Sequence, residues 1–308
     1  MHVAVTGATG FIGSKICERL AAGGHGVVAL VRETSRTDHI EPYCERMVTG
    51  DHADESAWPE LLAGADAVIH GSVDWTSLRE AAEHPTGTRD HLMSNIVRSI
   101  RLLEASAPRP FVFLSSVAVH HDILPRWDHA PDEDHPLRPS SSYGAYKAAV
   151  EPHLWAEHFS SGRHTAAIRP SAVYGIDPKL DRSIAFRLVR GLIETGRCEK
   201  PGGGKFVHVD DVAEATAAAL EKPGASGQPF HLADCYARWS DFAKMAAGIL
   251  GIEAEIDASS PPTSKNFFDK TRTKALSERI DLERGHGGLR AYLEALIAEM
   301  SRRGLTTP

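Results

Sequence analysis

Short apolar runs alternate with segments of helical period along most of this chain. His2–Thr6, Val27–Val31, Arg46–Thr49, Ala67–His70, Phe111–Ser115 and Thr165–Ile168 read as strands. Between them, Phe11–Ala22, a stretch through Leu61 and Leu62, Asp90–Ala107 and Ser141–Ser161 read as helices. Gly23 and Gly24 stop the first helix. This order is the pattern of a parallel sheet covered on both faces. Pro152 conflicts with the fourth helix, because proline removes a backbone bond and costs ~3 kcal/mol in a helix interior; a kink or a shorter helix is expected there. Beyond Arg169 the alternation loosens, with strands at Phe206–Val209 and Phe230–Leu232 flanking a helix Val212–Leu220, and an amphipathic last helix at Leu289–Met300. No internal repeat or low-complexity tract interrupts the pattern.

Composition changes this picture little. The 308 residues are 42% hydrophobic and 24% charged, ordinary for a globular chain large enough for one α/β domain and a smaller lobe. A net charge of −7 gives no reason to expect nucleic acid or an anionic membrane as partner. No apolar run approaches the ~20 residues of a membrane span. The first strand starts at the initiator methionine, so a cytoplasmic location without a leader is the expectation. Cys17, Cys44, Cys198 and Cys235 are scattered and read as reduced thiols.

The first strand empties into Gly7-Ala8-Thr9-Gly10-Phe11-Ile12-Gly13, and a helix follows at once. Strand, tight glycine turn and helix start make a corner for a phosphate, since the first N–H groups of a helix are unpaired and its dipole favours an anion. Gly7 and Gly10 let the chain turn and a diphosphate approach; Gly13 lets the helix lie close on the sheet. A dinucleotide is the expected ligand. Val31 and Arg32 stand where an NAD enzyme usually keeps a carboxylate for the ribose hydroxyls. A guanidinium there suits a 2′-phosphate, so NADP is the preferred cofactor, with NAD the alternative should Glu33 serve the ribose.

The chemistry rests on Ser141-Ser142-Tyr143-Gly144-Ala145-Tyr146-Lys147. Tyr143 and Lys147 are four apart and stack on one helix face. An ammonium beside a phenol favours the phenolate and brings its ordinary pKa of about 10 toward working range. Such a phenol gives or takes a proton at a carbon–oxygen bond while a nicotinamide gives or takes hydride. The serine pair at the end of Phe111–Ser115, Ser115 and Ser116, offers a hydroxyl for the substrate oxygen.

Taken together, Thr6–Gly13, Val68–His70, Asn95, Phe113–Ser116, Tyr143–Lys147, Arg169–Gly175 and Val207–Ala213 resemble, in order, an extended short-chain dehydrogenase/reductase of the NAD-dependent epimerase/dehydratase family. The resemblance implies a Rossmann-type α/β fold, a doubly wound parallel sheet with a smaller C-terminal substrate-binding lobe. The dinucleotide-binding domain would span 1–170, with 206–232 returning to it, and the substrate lobe 171–205 and 233–308. It further implies that Ser116, chosen over Ser115, Tyr143 and Lys147 are catalytic and that Asn95 holds a supporting water. Lys147 would also bond the nicotinamide ribose, Asp51 and His52 would lie beside the adenine, Gly71 would approach the cofactor, and Pro170 and Val173 would line the nicotinamide pocket. His120 and Tyr174 are candidates for the substrate pocket. Relatives often dimerise through helices matching Asp90–Ala107 and Ala145–Ser161, which makes a homodimer the implied assembly.

Departures from the family pattern narrow the activity. Val117 and Ala118 replace the acidic pair of dehydratases, and Gly202-Gly203-Gly204-Lys205 lacks the arginine that sugar-nucleotide epimerases place before this strand. The neighbouring segment is nevertheless basic, through Lys179, Arg182, Arg187, Arg190, Arg197, Lys200 and Lys205. The loop holding His120, His121, His129 and His135 among acidic residues matches no zinc spacing, and no metal is expected. The reading is an NADP-preferring reductase of a small carbonyl substrate. A retained-NAD epimerase and a non-catalytic dinucleotide sensor are the alternatives.

Overall fold

In the computed structural model, which describes residues 1–83 and 88–306, the strands are β1 (His2–Thr6), β2 (Gly26–Val31), β3 (Arg46–Thr49), β4 (Ala67–His70), β5 (Phe111–Leu114), β6 (Thr165–Pro170), β7 (Ala172–Tyr174), β8 (Arg197–Cys198), β9 (Gly203–His208), β10 (Gln228–Leu232), β11 (Cys235–Arg238) and β12 (Glu255–Ile256). The helices are α1 (Phe11–Ala22), α2 (Trp58–Leu62), α3 (Trp75–Glu83), α4 (Thr88–His91), α5 (Arg98–Ala105), α6 (Ser142–Ser161), α7 (Phe186–Thr195), α8 (Val209–Glu221), α9 (Trp239–Leu250), α10 (Thr271–Lys274) and α11 (Gly285–Arg302). Seven strands form one parallel sheet in the order β10-β6-β5-β4-β1-β2-β3. The chain leaves β1 toward β2 and β3, then returns to lay β4 on the other side of β1. The crevice between the C-terminal ends of β1 and β4 is therefore the topological switch point, where ligands bind in open sheets of this kind.

Every residue of β4 and β5 is buried, because helices cover both faces. One core packs α1 and α8 on one face, through Ile16, Leu20, Val212 and Leu220. The other packs α2, α5 and α6, through Leu61, Leu102, Tyr146 and Val150. A third core lies among α7, α9 and α11, around Phe206, Phe242, Leu293 and Met300. Among the described residues no helix is long and apolar enough to cross a membrane.

Three expectations need correction. The strand at Phe206–Val209 forms as β9 but pairs with β7 and β11 in a separate three-stranded sheet. Only α8 and β10 return to the main sheet. The alternation of a strand explains this, since Phe206 faces the third core while Val207 faces the first. The helix expected over Asp90–Ala107 is α4, a wider π-helical turn at Leu92–Val97 and then α5. Finally, α6 runs unbroken through Pro152, which lies on its exposed side.

Behind β5 and β6 lies a fully buried polar cluster. The Arg169 guanidinium binds both oxygens of Glu151, Nη2 to Oε2 at 2.5 Å, and also reaches His120 Nε2 at 2.9 Å. His231 Nε2 is 3.3 Å from the same guanidinium. Burial holds His120 neutral down to about 3 and pushes His231 well below the ordinary imidazole range, Arg169 adding to both. His70, bonded to Thr6 Oγ1 at 2.6 Å and Ser99 Oγ at 2.8 Å, is likewise kept neutral by burial.

These three imidazoles set the acid limit of the fold. Below the unfolded value of about 6.5 the unfolded chain binds protons that the native one refuses, so stability falls with pH. Each should remove about 1.4 kcal/mol per pH unit until its own folded pKa is reached. The urea midpoint is expected to drop between pH 7.5 and 5.5, less steeply in His120→Asn. A midpoint flat across that interval would refute this origin of acid sensitivity.

Candidate active site

The glycine corner is built by contact of backbone with backbone. Gly7 has φ +77°, and a Cβ there would lie 2.8 Å from the carbonyl carbon of Gly71 at the end of β4. A Cβ on Gly13 would fall 2.0 Å from the Gly7 carbonyl oxygen. The start of α1 is thus pressed onto the switch point. Gly10 caps α1 without any side-chain hydrogen bond, and the first turn holds no acidic residue. Free N–H groups with no competing carboxylate are what an anion needs.

A cleft of about 770 Å³ extends from this corner. Its walls include Gly7, Thr9, Gly10, Phe11, Ile12, Gly13, Arg32, Asp51, His52, Gly71, Ser116, Tyr143, Lys147, Pro170 and Val173, so the structure gathers these expected residues around one space. Two residues that line it carry polar atoms without partners: His52 Nε2 and Ser171 Oγ are buried with no hydrogen bond. Asp51 accepts from Ala53 N at 2.9 Å and meets His52 Nδ1 at 3.2 Å, which holds its carboxyl at about 2. The exposed Arg32 side chain makes no hydrogen bond or ion pair among the described residues. Close-packed glycines, an uncapped helix start and orphaned polar atoms fit a dinucleotide.

At the other end of the cleft, α6 starts from Ser141, whose hydroxyl accepts from Gly144 N at 3.1 Å. A Cβ on Gly144 would come 2.3 Å from the Ala118 carbonyl oxygen, so glycine lets the first turn of α6 lie against the segment after β5. Tyr143 and Lys147 thereby come beside Ser116. Ser116 Oγ accepts from Ala118 N at 3.2 Å and faces both the Pro170 carbonyl, at 3.4 Å, and the Tyr143 hydroxyl. Ser115 instead donates to Glu151 behind the sheet, which separates the two serines.

The electrostatics differ from the expectation for Tyr143. Burial raises its phenol above the ordinary range, and the Ser116 hydroxyl opposes this. Lys147 opposes this little, because burial lowers its own value to about 7 and leaves it uncharged where the phenol itself titrates. Lys147 is buried, donates to the Leu114 carbonyl at 2.6 Å, lies 4.5 Å from the Phe113 and Tyr146 ring centres, and titrates at about 7, with Glu151 opposing the fall.

Three expected residues lie outside the cleft. His120 is buried on Arg169 and against His135, with Nδ1 to Nδ1 at 3.1 Å, so it does not line a substrate pocket. Tyr174 is corrected likewise: it is wholly buried in the third core against His208 and Tyr292. Asn95, in the π-helical turn, accepts from Asp74 N at 2.8 Å and donates to Asp74 O at 3.0 Å, tying the loop after β4 to the helix. Two residues in the site escaped the sequence reading. Trp75 stacks on Tyr143 with ring centres 5.3 Å apart, and Glu151 links Lys147 to Arg169. Glu151 follows Lys147 by one helical turn, a visible signal; nothing local marked Trp75.

The model of the NAD dependent epimerase/dehydratase family matches residues 3–233. The chain belongs to this family. It is 28% identical over 266 residues to the 4-hydroxy-2-methyl-3-oxo-4-farnesyl-3,4-dihydroquinoline-1-oxide ketoreductase of Stigmatella aurantiaca, covering 83% of this chain and 75% of the relative. To UDP-glucose 4-epimerase of Mycolicibacterium smegmatis it is 29% identical over 252 residues, 75% of this chain and 77% of the relative. The fold matches UDP-glucuronic acid 4-epimerase of Bacillus cereus, solved with UDP-glucuronic acid and NAD, at a TM-score of 0.75 and 22% identity, over 96% of this chain and 100% of that one. Family members thus include both reductases and epimerases.

Glu151→Gln tests the support behind this family member's site. It takes from the buried Arg169 guanidinium the carboxylate that clasps it, a loss of about 3–5 kcal/mol in urea unfolding. A change below 1 kcal/mol would mean that the buried pair contributes little.

Proposed function

We propose that this protein is a nicotinamide-dependent oxidoreductase that reduces a carbonyl of a small organic substrate, with Tyr143, Ser116 and Lys147 as its catalytic residues. The observation that carries this reading is that all three line the same cleft as the glycine corner. The corner Gly7–Gly13 would hold the diphosphate, Asp51 and His52 the adenine, and Gly71, Pro170 and Val173 the walls around the nicotinamide. When bound, the dinucleotide supplies the hydride for the carbonyl carbon.

The side chains supply the rest. Burial keeps Tyr143 a phenol at neutral pH, so it is poised as the acid that protonates the carbonyl oxygen. Ser116, hydrogen-bonded to the Tyr143 hydroxyl, donates to the same oxygen as negative charge builds there. Lys147, titrating at about 7, is present in both charge states at working pH, and its ammonium form eases the loss of the phenolic proton. Arg32 supports NADP as the preferred cofactor, because its unpaired guanidinium borders the cleft. NADP in turn favours a reductase, since a retained cofactor gains nothing from the extra phosphate. A retained-NAD epimerase is the second reading, favoured by the epimerase relative of similar identity.

Tyr143→Phe is expected to lower turnover by ~10²–10⁴-fold while NADPH binding, read by fluorescence titration, is unchanged. Full turnover in this variant would sink the catalytic reading. In Arg32→Ala, affinity for NADPH should fall by roughly tenfold or more with NADH affinity unaltered, the loss of one charge-assisted bidentate contact. Equal loss for both nucleotides would remove the case for NADP.

A further inference from the structure

Beyond the cofactor cleft lies a second cavity of about 1120 Å³, which shares Arg32, Val73, Asp74, Trp75 and Arg182 with the first. The two spaces therefore meet at Trp75, the residue stacked on Tyr143 at an interplanar angle of 20°. One indole face is covered by the phenol, yet the residue is still 51% exposed. A half-exposed tryptophan at the lip of a cavity offers a flat apolar surface to a planar group.

The opposite wall carries charge. Lys200 Nζ sits 3.4 Å from the centre of the Trp239 ring, and Trp239 is anchored on Phe206 and Phe242 of the third core. Six cationic side chains line the cavity against three carboxylates, in a chain of net charge −7. Among the described residues, the side chains of Arg79, Arg182 and Arg187 form no hydrogen bond or ion pair. An open recess that concentrates positive charge draws in and orients an anion.

We propose that this second cavity receives the substrate of the reductase, and that the substrate is a planar aromatic ketone bearing an anionic group such as a carboxylate. The ring stacks on the Trp75 face turned away from the phenol, and its carbonyl reaches past the indole edge into the cofactor cleft that Tyr143 lines. The anionic group reaches toward Lys200, Arg182 and Arg187. This assignment rests on Tyr143 being the proton donor. The shared chemistry of flat ring and anion also belongs to nucleotides, and the test separates the two.

The test uses the full chain with 2-naphthoate as probe, beside its neutral amide 2-naphthamide and uridine diphosphate, each followed by calorimetry. The expected result is tenfold or tighter binding of 2-naphthoate over the amide, with tenfold loss in Trp75→Leu and a comparable loss in Arg187→Gln. Equal binding of acid and amide, or unchanged affinity in Trp75→Leu, would overturn the proposal. So would binding of uridine diphosphate with none of 2-naphthoate, which would give the cavity to a nucleotide. Because these experiments read binding alone, their failure stands apart from failure of the catalytic role of Tyr143, which is read by turnover.

Discussion

The close approach of three backbone segments at the switch point is the constraint on which this structure depends. Gly13 lies over the Gly7 carbonyl, and Gly7 lies against Gly71, at separations no Cβ would tolerate. That contact brings the N-terminus of α1 to the carboxyl ends of β1 and β4 with its N–H groups free. Everything useful in the cleft is measured from there. The sheet order puts β5 on the far side of β4, and Ser116 follows β5 directly. The first turn of α6 is seated on the segment after Ser116 by another glycine, Gly144.

The price of that arrangement is a set of charges and imidazoles buried behind the sheet. Lys147 is almost wholly desolvated, and its ammonium is held by one carbonyl and two aromatic faces. Glu151, one turn further along α6, is the counter-charge that keeps the lysine from falling further, while itself clasped by Arg169. Such pairs seldom add stability over an apolar core. Here the pair joins α6 to β6 and to Ser115, and so holds the helix that carries Tyr143 and Lys147 in register with the strand that ends at Pro170.

Much of the site was legible because its signals are local. Glycine spacing, a four-residue step on a helix and a serine at a strand end each reflect geometry that a few neighbouring residues impose. His120 and Tyr174 misled for the opposite reason. Both stand near motif positions, but which way a side chain points after a strand depends on what packs against it. Arg169 and His135 draw His120 inward, and the third core encloses Tyr174. Trp75 and Tyr143 are far apart in sequence, and their stacking has no local signature.

The sequence by itself determined the alternating α/β order and the glycine corner, and it singled out the tyrosine, serine and lysine on which the proposed chemistry rests, since each follows from backbone preference or helical period over a short span. Only the tertiary structure decided that Phe206–His208 leaves the main sheet, that Lys147 is desolvated enough to titrate at about 7, and that a tryptophan divides two cavities. Pairing partners, dielectric surroundings and cavity walls come from residues distant in the chain, and those meet only when the sheet and the second lobe have folded.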